Sequence, residues 1–146
     1  MNSSQADIDD LLIRTAPEAP TDRTLLFAMR RMAMGGLNDA YAAHALFSAF
    51  GGSHRRPLVL LRALMAELAR SSRNRIMVAP CCCGRMTHGE AMLMGAIGVA
   101  AEDPRRAHSR LSMVLGTSDC LGALSSAQAL GQTFEDLGRP LSPAAL

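Results

Sequence analysis

Lysine is missing from the chain, and all 15 basic residues are arginine. Every cation is therefore a planar fork of donors, suited to gripping carboxylate or phosphate. Tryptophan is also missing, and aromatic residues make up only 3% of the sequence. Stacking on nucleic-acid bases has almost no side chains to use. No apolar run is long enough for a membrane: "PLVLLRALMAELA" and "AMLMGAIGVAA" carry charge or stop short of the roughly 18–20 residues a span needs. The first residues, "MNSSQADIDDLLIRTAPEAPTDR", are acidic and lack the basic start and apolar stretch of a secretory signal. A cytoplasmic, reducing compartment is the expected home. Also missing are a Ser-His-Asp order, a G-x-S-x-G, a P-loop and a carboxylate pair placed for acid–base work. The balance favours a binding protein over an enzyme.

What is present suits one domain. The 146 residues are 49% hydrophobic, and ten methionines must do much of the core filling that aromatics do elsewhere. Charge is uneven. Residues 1–22 hold one Arg against five acids, residues 23–89 hold ten Arg against Asp39 and Glu67, and residues 90–146 hold four Arg against six acids. The middle of the chain is basic and suited to an acidic partner.

The periodicity predicts an all-α, compact bundle of about five main helices with short connections. The domain spans 21–138, between an acidic leader (1–20, with a helical turn around "ADIDDLLIRT") and a loose tail (139–146). A helix starts near Thr21–Asp22 and runs to Gly35–Gly36, with Leu25, Leu26, Met29 and Met32 as its apolar stripe and Arg23, Arg30 and Arg31 off it. Asn38 caps the next, in which His44 is half-buried; Pro57 opens the third. "IMVA" (76–79) reads as extended but has no partner strand. "THGE" (87–90) is a capping box in which Glu90 reaches back to Thr87. Gly95 and Gly98 on that helix allow a neighbour to approach closely. Asp103–Pro104 and "TSDC" open the last two helices.

Three cysteines stand side by side at Cys81, Cys82 and Cys83, and the fourth is Cys120. Short connections make successive helices antiparallel, so the bend before Thr87 and the bend at 118–120 share one end of the bundle. His88 lies there too. On an extended chain Cys81 and Cys83 point one way and Cys82 the other. Helix N-termini and Arg85 favour thiolate over thiol. Three readings stay open: buried cysteines that only pack; a zinc site of Cys81, Cys83, Cys120 and His88; and a redox set of Cys81, Cys82, Cys83 and Cys120. A Cu(I) variant would add Met77, Met86, Met92 and Met94, though Met92 and Met94 face different ways on a helix. Arg70, Arg73, Arg75 and Arg85 ring the same end as an anion- or partner-binding face.

The favoured expectation is a zinc-stabilised regulatory or adaptor protein that binds a protein partner or a second copy of itself. The alternatives are a thiol-redox protein or sensor and an Arg-rich nucleic-acid-binding regulator. No membrane is involved in any of them. "RRMAMGGLNDA", "RPLVLLRALMAEL", "APCCCGRMT" and "DCLGALSSAQAL" together resemble an uncharacterised family of short bacterial proteins, a domain of unknown function. The resemblance spans most of residues 24–140 and implies a complete small protein of a recognisable type. It implies no activity, cofactor or site.

Overall fold

The computed structural model describes residues 12–142. Among these residues there are six α-helices, not five, and one two-stranded ribbon. They run β1 (Leu12–Thr15), α1 (Pro20–Gly35), α2 (Ala40–Phe50), α3 (Arg55–Ser71), β2 (Arg85–Thr87), α4 (His88–Val99), α5 (Pro104–Leu115) and α6 (Leu121–Asp136). The helix ends follow local chemistry. Thr87 and Glu90 form the complete capping box. Asp103 caps α5 by accepting from the Arg106 amide, with Pro104 in the first turn, and Gly116 closes that helix with φ 70°. The cap of α2 is Asp39, one residue beyond Asn38, accepting from the Ala42 amide at 3.0 Å.

Much of the core lies between α3 and α6. Ala123, Ala127, Leu130 and Phe134 recur on one face of α6 and meet Leu61, Leu64 and Leu68 of α3. Alanines at two of these positions bring the helices close, and Phe50 stacks on Phe134 at 4.9 Å. A side chain at Gly131 would press on the Ile97 carbonyl, so the tight approach of α6 to α4 is made there.

One pole gathers the ends of α3 and α5 with the starts of α4 and α6. The Arg73 amide donates to the Leu115 carbonyl at 2.8 Å, Thr87 Oγ1 donates to the Met77 carbonyl, and Gly122 lies against Glu67. This is the alternation that short links impose.

The leader departs from the helical turn expected of it. Leu12–Thr15 is a strand, paired antiparallel with Arg85–Thr87 in the register Leu12↔Thr87, Arg14↔Met86 and Thr15↔Arg85. The reason is a backbone edge far along the sequence: the residues just before α4 are extended, and the leader satisfies them. "IMVA" is irregular. Residues 1–11, which carry the rest of the expected helical turn, lie outside the described residues. The tail is tied down as far as Ser142, whose amide and hydroxyl donate to the buried Asp22 carboxylate at 3.1 and 2.8 Å; residues 143–146 lie outside the described ones. No helix among the described residues is long and apolar enough to cross a membrane.

Candidate functional site

The cysteine triplet sits on a tight turn. The Cys83 amide donates to the Pro80 carbonyl at 3.0 Å, which makes Cys81 and Cys82 the central pair of a four-residue turn. An extended segment would have sent neighbouring side chains to opposite sides. The turn instead brings Cys81 Sγ and Cys82 Sγ to 3.5 Å. The expected convergence of Cys81 and Cys83, with Cys82 facing away, is therefore replaced by an adjacent pair.

Arg30 holds this turn in place. Read from the sequence as lying off the apolar stripe, it is in fact 2% exposed. Its Nε donates to Glu90 Oε2 at 2.7 Å and its Nη2 to Glu90 Oε1 at 3.1 Å, a bidentate fork. The remaining donors reach the turn: Nη1 to the Cys83 carbonyl and Nη2 to the Arg85 carbonyl, both at 2.8 Å. Glu90 closes the frame by accepting from the Ala79 and Thr87 amides. One buried ion pair thus pins the loop on both sides of the cysteines. Arg30 belongs with the apolar stripe after all, one turn beyond Leu26. That spacing was the signal in the sequence; the partner, 60 residues away, gave none.

The thiols face a cavity of about 550 Å³ between the turn and α1. Cys81, Cys82 and Cys83 line one side; Arg23, Phe27 and Arg30 line another. Cys82 is exposed, while Cys81 and Cys83 are half-buried. The Cys82 thiol is pushed above the ordinary cysteine range by its hydrogen bond to Cys81 and by the negative charge of an ionised Cys81, with Arg30 and Arg31 pulling the other way. The Arg31 guanidinium lies within electrostatic reach of the pair and forks onto Asp39 at 2.9 and 3.2 Å. It stands 4.6 Å over the Tyr41 ring as well. Asp39, which the sequence reading passed over, joins this cluster to the start of α2. Arg31 holds its carboxyl below the usual carboxylate range.

The other predicted residues lie elsewhere. Cys120 is 1% exposed in the main core, as the residue preceding α6 and not within its first turn. Its Sγ is 3.6 Å from Ser112 Oγ, which is in turn 3.5 Å from His108 Nδ1. His88 is exposed and lines a separate recess with Arg75, Ile76 and Met113. Among the described residues, no three His, Cys, Asp or Glu side chains converge on a point that could hold a metal ion. The ligand set Cys81, Cys83, Cys120 and His88 is thus not assembled, because Arg30 draws the triplet onto α1 while Cys120 packs inside the bundle. Nor do the methionines form a thioether cage: Met86 is buried with Leu26 and Ala91, and Met77 is exposed.

The arginines expected at this end do not reach the thiols. Arg70 pairs with Glu67 at 2.6 Å, and Arg73, Arg75 and Arg85 are exposed without lining the thiol cavity. The guanidinium groups at the sulfurs come from α1. His44, read as half-buried, is exposed.

A family model described as "Family of unknown function (DUF6628)" matches residues 6–139. The chain belongs to this family. The match takes in β1, the cysteine turn and all six helices, so the whole frame around the thiol cavity lies inside the DUF6628 region. No curated protein and no solved structure matches the chain.

Proposed function

We propose that this DUF6628 chain is a thiol–disulfide redox protein in which Cys81 and Cys82 cycle between dithiol and disulfide at the edge of the cavity. The reading replaces the zinc-stabilised adaptor, whose donors do not meet. The observation that carries it is the 3.5 Å approach of the two sulfurs on an accessible turn that lines the cavity. Thiolate is the reactive form of cysteine, and the guanidinium groups of Arg30 and Arg31 bring positive charge to the pair. Cys82 holds its proton more tightly than an ordinary cysteine, which fits it to resolve an intermediate formed on Cys81.

With hydrogen peroxide as oxidant, Cys81 Sγ attacks one peroxide oxygen, the O–O bond breaks, and Cys81 sulfenic acid and water form. Cys82 Sγ then attacks the sulfenic sulfur. The S–O bond breaks, hydroxide leaves and takes the Cys82 proton as water, and the disulfide closes. In sum, two thiols and one peroxide give one disulfide and two waters. Residues joined by a trans peptide have Cα atoms about 3.8 Å apart, below the usual 4.4–6.8 Å of a disulfide. The product is strained and easily reduced, a property of cycling and not of structural disulfides.

Thiol counting tests this. After mild peroxide the folded protein should lose two of its four titratable thiols and recover both with a thiol reductant. Cys81→Ser should lose no such pair. Four thiols that survive peroxide unchanged would end the proposal.

A further inference from the structure

Resting on that redox reading, we infer that the cavity selects a low-molecular-weight disulfide bearing a carboxylate, a short acidic peptide disulfide in chemical class, and that Arg23 is the residue that selects it. The cavity, about 550 Å³, falls within the range of small-molecule sites and is concave. Its α1 wall carries Arg23, Phe27 and Arg30 at spacings of four and three residues, which puts all three on one face of the helix.

The two arginines on this face are not equivalent. Arg30 is buried, with its donors committed to Glu90 and the turn carbonyls. Arg23 is exposed and, among the described residues, makes no ion pair or side-chain hydrogen bond. The neighbouring carboxylate, Asp22, is buried and occupied by Ser142. A free guanidinium on a cavity wall is a bidentate receptor for carboxylate.

The spacing restricts the ligand further. One cavity takes in the cysteine turn, Arg30 and Arg23, and Arg23 is seven residues before Arg30, about 10 Å along the helix axis at 1.5 Å per residue. A peptide that places a carboxylate a residue or more from its cysteine covers that span, with the Arg23 side chain reaching inward. Phe27, Pro17 and Pro20 supply the apolar wall between the two ends.

The exchange is balanced without any further reagent. Cys81 Sγ attacks one sulfur of the bound disulfide, its S–S bond breaks, and one thiol leaves after taking up the Cys81 proton. Cys82 Sγ then attacks Cys81 Sγ, the mixed disulfide breaks, and the second thiol leaves with the Cys82 proton. Two protein thiols and one small disulfide become one protein disulfide and two small thiols.

The test compares initial oxidation rates at low salt with oxidised glutathione, which carries carboxylates, and with cystamine, which is cationic. Comparing variants cancels the intrinsic difference between the reagents. The glutathione-to-cystamine rate ratio of the wild type should exceed that of Arg23→Glu by about tenfold or more, shrinking as salt is added. Arg23→Gln should fall between, and both variants should melt as the wild type does, since Arg23 is exposed. An identical ratio in wild type and Arg23→Glu overturns the selection by Arg23 while leaving the redox pair standing. Failure of every disulfide and of peroxide to join Cys81 to Cys82 overturns both.

Discussion

Sulfur occurs in two environments in this molecule. The turn at Cys81–Cys83 is held by a guanidinium from α1, opens onto a cavity, and presents two sulfurs 3.5 Å apart. Cys120 is sealed in the core beside Ser112, with one neighbouring hydroxyl and no second thiol. The residue type is the same, yet one place supports bond exchange and the other only packing. The difference lies in what surrounds the backbone. At the turn, polar side chains organise the loop and leave the thiols accessible. At Cys120, apolar side chains close around the thiol.

The comparison breaks most completely at Arg30. Removing one partner of a buried ion pair leaves the other charge unpaired, at a cost of about 3–5 kcal/mol. Arg30→Ala should show that loss in denaturant unfolding, because Glu90 would be left buried without its partner. A loss below roughly 1 kcal/mol, the scale of a surface pair, would mean that the pair does not hold the turn. Arg30→Lys should recover little, since one ammonium cannot serve Glu90 and two carbonyls in this geometry.

A smaller effect sharpens the contrast within the turn. The Cys82 thiol is raised chiefly by Cys81, so Cys81→Ser should lower it towards the ordinary cysteine range. Alkylation of Cys82 near pH 7.5 should then run roughly several-fold faster than in the wild type, followed by mass spectrometry of the peptide between Arg75 and Arg85. An unchanged rate would show that the two sulfurs do not sense each other. Cys120 should stay unmodified in both proteins until they unfold.

The smallest effect concerns the cluster behind Cys81. The Asp39 carboxyl is lowered by Arg31, so the stability it adds is fully present above the ordinary aspartate value of about 3.9 and is lost as pH falls through the lower folded-state value. Asn also caps helices well, so Asp39→Asn should keep α2 while removing this acid sensitivity. Melting between pH 5 and pH 3 should fall less steeply for the variant; parallel curves would remove Arg31–Asp39 from the account.

Local chemistry made parts of this fold readable. Thr87 and Glu90 announced their capping box, Asp103–Pro104 announced α5, and alternating helix directions put the ends of α3 and α5 with the starts of α4 and α6. The site was less readable, because two of its determinants are long-range. Glu90 looked like a local cap and is also the partner of a distant arginine. The leader looked helical and is β1 of a ribbon whose other strand lies 70 residues on. The cysteines looked extended, and there the missing cue was local: a single backbone hydrogen bond from Cys83 to Pro80 folds them into a pair. Charge counting found the basic middle of the chain but pointed to the arginines after α3, whereas those at the sulfurs come from α1.

The most direct measurement is the location of the oxidised bond. After mild peroxide, trypsin digestion and fragmentation should place a loss of two hydrogens between Cys81 and Cys82, with Cys120 still a free thiol. A disulfide joining Cys120 to any residue of the triplet, or a triplet that remains fully reduced, would contradict the account.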